Sequence, residues 1–276
     1  MIGTSKRWKL WRITLATGLG AASLLAFLSS SAVAADPPSP AMEQMLDRTG
    51  SFVARFLEDF SNMKCTELVS QTKLGKGGKQ EYEEDSAYDY LVMTQSPGGD
   101  LTLVESRLAE KQPKHKRNLP LLITNGFSTL FLVFHPSYQA SFEFLPLGNE
   151  AVDGKLYAKV HFQHVRGTRS TAALILRGQE YPLDLEGTAW LDPQSGAIAI
   201  ISAGLESSME DIGLRSLHCE VRYGPVAFPG LHESHWLPTS ATVDVETPRQ
   251  HWRNTHRFTD YQRFATSTDS KIAGNQ

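Results

Sequence analysis

The chain changes hydrophobic period once, after Asn62, and that change constrains its architecture more than any other feature. Before it, Met42, Met45, Leu46, Phe52, Val53, Phe56, Leu57 and Phe60 recur at three- and four-residue spacings. Glu43, Gln44, Asp47, Arg48, Arg55, Glu58 and Asp59 take the other side. The spacing predicts one amphipathic helix over about 41–60. Ser39 is placed to cap it, Pro40 to occupy its first position, and Gly50 to weaken it. Its broad apolar face has to cover something, and most of the remaining chain reads as strand.

Beyond Asn62 the period is two. Segments near 64–73, 86–95 and 100–109 are separated by Gly75-Lys76-Gly77-Gly78 and by Ser96-Pro97-Gly98-Gly99-Asp100. Glycine reaches positive φ without penalty, so both separators are turns. Further strands read at about 139–146, 155–164, 171–177, 182–191, 196–204, 215–223, 236–246 and 252–264. Leu183, Leu185, Ala189 and Leu191 alternate with Asp184, Glu186 and Thr188, and Val243 and Val245 with Thr242, Asp244 and Glu246. Alternation of this kind belongs to an antiparallel sheet buried on one face and wetted on the other. The fold class is therefore mainly β (α+β): an antiparallel sheet of about ten strands covered by an N-terminal helix.

Residues 118–134 break the alternation. Leu119, Leu121, Leu122, Ile123, Phe127, Leu130, Phe131, Leu132, Val133 and Phe134 form an apolar cluster without clean period two. It reads as a short helix leading into a buried strand, as ordinary core, or as a loop that plugs an apolar cavity.

The first 34 residues read as a cleaved signal peptide. Lys6, Arg7, Lys9 and Arg12 precede a mostly apolar, uncharged run from Ile13 to Leu28, and small residues ending Ala32-Val33-Ala34 fit a signal-peptidase site. The run is short for a membrane span. The expectation is an exported, periplasmic protein of about 240 residues over 35–276, in one domain, with no permanent membrane anchor. The full chain has 27 basic and 30 acidic residues, and the leader holds four of the basic ones and no acid. The mature chain carries 23 against 30, a net of −7, which disfavours nucleic acid and anionic membrane surfaces as partners.

In an oxidising compartment Cys65 and Cys219 are candidates for a disulfide, closing a loop worth at most about 5 kcal/mol in the chain-entropy model. Two buried free thiols are the alternative.

Motifs that carry chemistry are scarce. His161 and His164 stand three apart on a strand, hence on opposite faces. His232-Glu233-Ser234-His235 lacks the four-residue spacing of the helical zinc motif, so no metal and no cofactor is expected. The sequence has no Gly-x-Ser-x-Gly elbow and no phosphate-binding loop. Glu81, Glu83, Glu84 and Asp85 read as a solvated loop, as do Lys111, Lys114, His115, Lys116 and Arg117. No catalytic residue is assigned; a secreted hydrolase using His232, Glu233 and His235 is the enzymatic rival.

The element order, together with Glu186-Gly187-Thr188-Ala189-Trp190-Leu191-Asp192-Pro193-Gln194-Ser195-Gly196-Ala197-Ile198, resembles the periplasmic outer-membrane lipoprotein carriers and their sensor relatives. The tail Tyr261-Gln262-Arg263-Phe264 resembles the final strand of related bacterial exported proteins. The resemblance implies a half-barrel, a curved sheet wrapped over a helix, with an apolar cavity that accepts acyl chains and no enzymatic chemistry. It implies a hydrophobic ligand or lipid as partner. The alternative is a periplasmic or outer-membrane protein docked by an interaction or sensor module. Phe127, Phe131, Phe134, Phe142, Phe144 and Trp190 are the candidates to line the cavity, or to fill the core in its place.

Overall fold

A computed structural model describes residues 39–95, 101–111, 130–176, 179–228 and 234–263, all within a compact unit that begins at Pro38. The signal-peptide reading, Phe127, Lys114 to Arg117, His232 and Glu233 lie outside the described residues.

Helix α1 spans Pro40–Phe60. The Ser39 side chain accepts from the Met42 backbone N–H at 3.4 Å, and Pro40 opens the first turn. Met42, Leu46, Val53, Phe56, Leu57 and Phe60 form its buried face, as the spacing predicts. The expected weak point at Gly50 is instead a packing site, for the helix runs through it without a break. A Cβ there would stand 2.8 Å from Gln139 Nε2 and 3.2 Å from the Phe134 carbonyl. Glycine lets the segment after Phe134 press directly on the helix backbone.

Among the described residues twelve strands follow: β1 Met63–Leu74, β2 Gln80–Gln95, β3 Thr102–Lys111, β4 Phe142–Val152, β5 Lys155–His164, β6 Ala173–Leu176, β7 Gln179–Pro182, β8 Leu185–Leu191, β9 Ile198–Leu205, β10 Ser216–Ala227, β11 Ser234–Glu246 and β12 His251–Arg263. Ten form one curved antiparallel sheet in the order β3-β2-β1-β12-β11-β10-β9-β8-β5-β4, open at β3 and β4. The last strand is inserted between the first and the eleventh. Strands β6 and β7 pair only with each other.

Three strands depart from the sequence reading. The strand expected at 139–146 starts at Phe142, after the short helix Pro136–Gln139, and runs on to Val152. The strand expected at 182–191 starts at Leu185, and Pro182, whose missing N–H cannot extend the ladder, ends β7. The acidic run Glu81 to Asp85 is not a loop but the first half of β2. Neighbours satisfy Glu83 there: Ser70 donates to it at 2.9 Å and Gln80 at 2.7 Å.

Alternation places one face of the sheet against α1. Met63, Cys65 and Val69 of β1, Val221 of β10, Ile201 of β9, Ala189 and Leu191 of β8 and Val160 and Phe162 of β5 are all buried on that side. Leu130 to Phe134 fill the centre of the same core. Phe131–Phe134 is a single 3-10 turn, followed by the short helix Pro136–Gln139, and Leu130 to Phe134 are each at most 3 % exposed. The described part of the 118–134 cluster is thus helical core.

The disulfide expectation is overturned. Cys65 on β1 and Cys219 on β10 are both free and buried. Strands β12 and β11 separate them, three strand spacings or about 14 Å along the sheet. A disulfide needs Cα atoms within about 7 Å.

Candidate functional site

The helix-facing side of the sheet divides into an apolar half and a charged half. In the apolar half, β8, β9, β10 and β11 form a floor, and the β6–β7 hairpin and Leu130 form a roof. Between them lies a small apolar cavity of about 50 Å³, lined by Leu130, Ala172, Ala173, Leu174, Leu183, Leu185, Ala203, Leu214, Leu217, Cys219 and Val243. None of these lining residues is charged. The two arms of the hairpin are tied together at its base: the Leu183 N–H donates to the Ala172 carbonyl at 3.0 Å, and Ser170 Oγ donates to the Leu183 carbonyl at 2.7 Å. The cavity has a third of the ~150 Å³ that admits benzene, far below the ~300–1,000 Å³ of ordinary ligand sites.

The candidate lining residues separate into groups. Phe131, Phe134 and Phe142 are buried in the main core, and Phe144 packs against it. Phe134 and Phe144 stand 5.3 Å apart between ring centroids, and Phe142 meets Phe162 at 6.1 Å, edge to face. None of the four lines the small cavity. Trp190 is set apart. It sits between Ala189 and Leu191, both buried in the main core, and so faces the opposite side of the sheet. There it belongs to a second, smaller cluster with Tyr157, Ala199 and Ile200, and Lys159 Nζ lies 5.0 Å over its ring.

The charged half was not read from sequence. Glu67 on β1 is fully buried, and residues of two other strands converge on it. His256 Nδ1 on β12 lies 2.8 Å from Glu67 Oε1, and Arg107 on β3 donates through Nε and Nη2, the latter at 3.0 Å. Arg107 Nη1 also donates to Glu105 at 2.8 Å, and its guanidinium lies 4.8 Å over the Tyr90 ring. Burial alone would raise the Glu67 pKa, but the hydrogen bonds from His256 and Arg107 hold it below the ordinary carboxylate range. Burial likewise works against the Arg107 charge, which Glu67 and Glu105 nonetheless fix more firmly than usual. The available signal was positional: Glu67 occupies the inward phase of Met63, Cys65, Glu67 and Val69, where an uncompensated charge is costly.

The remaining reactive candidates are inert or dispersed. Burial pushes the Cys65 thiol up to about 12 and Cys219 higher still, the opposite of an activated nucleophile. His164 is buried and bonds Asp184 at 2.8 Å. His235 sits at the start of β11 facing Asp59, 3.5 Å away. Among the described residues no group of three or more His, Cys, Asp or Glu could hold a metal ion. No described helix is long and apolar enough to cross a membrane.

The turn that carries the family resemblance is a structural clamp. Asp192 accepts from the backbone N–H groups of Gln194 at 2.8 Å and Ser195 at 3.1 Å, and also pairs with Lys155. Gly196 has φ +75°, and a Cβ on it would stand 2.7 Å from the Arg48 backbone. Arg48 in turn donates to the Pro193 carbonyl. The turn between β8 and β9 is therefore seated on the flank of α1.

No family model matches the sequence, and no curated protein is similar to it. Solved structures are similar. A DUF1329 family protein from Desulfovibrio piger is 13% identical, with a TM-score of 0.41 over 82% of this chain and 95% of that one. An outer-membrane lipoprotein-sorting protein domain from Vibrio parahaemolyticus is 10% identical, with a TM-score of 0.40 over 82% and 95%. A LolA superfamily protein from Nitrosomonas europaea is 11% identical, with a TM-score of 0.33 over 81% and 93%. The chain is thus similar in structure to a lipoprotein-sorting protein domain, a LolA superfamily protein and a DUF1329 family protein.

Proposed function

We propose that this is an exported, non-enzymatic binding protein that holds a lipid, an acylated molecule or another hydrophobic ligand inside its half-barrel. The carrying observation is the apolar cavity between the β6–β7 hairpin and the floor of the sheet. At about 50 Å³ it is a nucleus for a site rather than a finished one. The hairpin is outside the ten-strand ladder, so lifting it breaks few hydrogen bonds and exposes a continuous aliphatic floor. In this reading an acyl chain enters by displacing the hairpin and Leu130.

A second reading has its own support. A half-barrel filled by its own Leu130 to Phe134 suits a module that docks a protein partner. Leu145, Leu147 and Leu156 lie exposed on the β4–β5 hairpin at the open edge of the sheet.

One experiment separates the two: native mass spectrometry of the protein purified from an exporting host, with lipid extraction and uptake of a fluorescent fatty acid. A stoichiometric lipid released on unfolding supports the first reading. A bare mass with no fatty-acid uptake overturns it and favours the second.

A further inference from the structure

An open cleft runs between α1 and the β8–β9 turn, with the start of β11 among its lining. Its volume is about 680 Å³, within the range of small-molecule sites. Arg48 and Arg55 are seven residues apart on α1, so they share a side two turns apart, roughly 10 Å along the axis. Phe52 lies between them, and Trp236 forms part of the opposite wall. The Trp236 indole N–H donates to the Ile198 carbonyl at 2.7 Å, which fixes the ring. The Arg48 bond to Pro193 holds that guanidinium in place while leaving further N–H groups unused. Arg55 is exposed and makes no hydrogen bond or ion pair with any described residue. Among the described lining residues the one acid is Asp59, which already faces His235 at 3.5 Å.

A second cleft, beside the β1–β2 turn, also holds an excess of cations, with Lys76 and Arg249 beside the pairs Lys73–Glu81 and Arg215–Glu246. No Phe, Tyr or Trp is among its described lining residues, whereas beside α1 the arginines stand over an aromatic floor.

We propose that this cleft binds an anionic amphiphile, with a phosphate or carboxylate head between Arg48 and Arg55 and a short apolar body lying on Phe52 and Trp236. Arginine presents paired N–H donors to an oxyanion, and flat aromatic surface takes the apolar part. The inference is independent of acyl entry into the half-barrel, because the cleft shares no lining residue with the internal cavity.

The test is calorimetric titration of the protein purified from an exporting host with octyl phosphate, inorganic phosphate and octanol. Octyl phosphate is expected to bind one equivalent, with phosphate and octanol each at least about tenfold weaker. Arg55→Gln is expected to weaken octyl phosphate by about tenfold or more, the scale of one charge-assisted hydrogen bond. It should leave the melting temperature unchanged, since Arg55 has no described partner to lose. Ala203→Val, which fills the internal cavity, should leave octyl phosphate binding intact even if fatty-acid uptake falls. Unaltered affinity in Arg55→Gln overturns the proposal. So does octanol or inorganic phosphate binding as tightly as octyl phosphate, or loss of binding in Ala203→Val with Arg55→Gln unaffected.

Discussion

Gly50 of the helix and Gln139 of the short segment after Phe134 are in direct contact. Gln139 Nε2 donates to the Leu46 carbonyl at 3.0 Å and to the Phe134 carbonyl at 2.9 Å, and only a hydrogen at Gly50 leaves room for it. In an unconstrained helix Gly→Ala stabilises by about 1 kcal/mol. Here Gly50→Ala is expected to destabilise by about 1–2 kcal/mol, because Gln139 must give up its two carbonyls. Gly196→Ala should cost more, since its contacts are rigid backbone and its φ is +75°. Urea midpoints read by circular dichroism will rank the two, and a gain in either variant would contradict the packing.

Removing the charge of Glu67 should destabilise the fold. Glu67→Gln removes one of the two carboxylates that hold Arg107 and leaves Glu105 as its remaining counter-charge, a loss of about 1–3 kcal/mol. Because the folded pKa of Glu67 is depressed, its contribution is present above the unfolded value and disappears as pH falls through the folded one. Wild-type stability should therefore decline as the solution is acidified below the ordinary carboxylate range. The variant, measured by urea denaturation across the same series, should show a shallower decline.

The two thiols should be silent in the native state and reactive in the unfolded one. Iodoacetamide in mildly alkaline buffer is expected to leave Cys65 and Cys219 unmodified while the fold is intact. In concentrated urea without reductant, both should be alkylated. Intact mass counts the adducts. No uptake in urea would reveal a bridge and overturn the sheet order that separates β1 from β10.

Ala203 projects into the internal cavity from β9. Ala203→Val adds about two methyl-sized groups to a space of about 50 Å³, so it should stabilise by up to about 1 kcal/mol. In the ligand-binding reading it should also slow or reduce fatty-acid uptake. Calorimetric melting and a fluorescence uptake assay measure the two effects separately.

Helix α1 was legible to within a residue, because its eight apolar positions and Ser39-Pro40 all agree on one boundary. Strands β1, β5, β11 and β12 were legible from alternation and the turn residues between them. Trp190 was not, since a large aromatic on a strand looks the same in sequence whichever face it occupies, and the flanking Ala189 and Leu191 decide it only once one knows they face the helix. The charged half was hidden for a different reason. Glu67, Arg107 and His256 lie far apart in the chain and meet only because β12 is laid beside β1 and β3 lies across β2. Pairing across such distances leaves no local trace. The acidic start of β2 misled by composition, since charge on a strand's wetted face and charge in a loop read alike.

The insertion of β12 between β1 and β11 has a consequence for how the molecule is made. Until His251–Arg263 has been synthesised, the sheet can exist only as two fragments, β3-β2-β1 and β11 through β4, with unpaired edges where they should join. Contacts between the two ends of the chain are the slowest to close. A nascent chain is therefore held short of its native state by its own topology, and the sheet is completed only when β12 joins it.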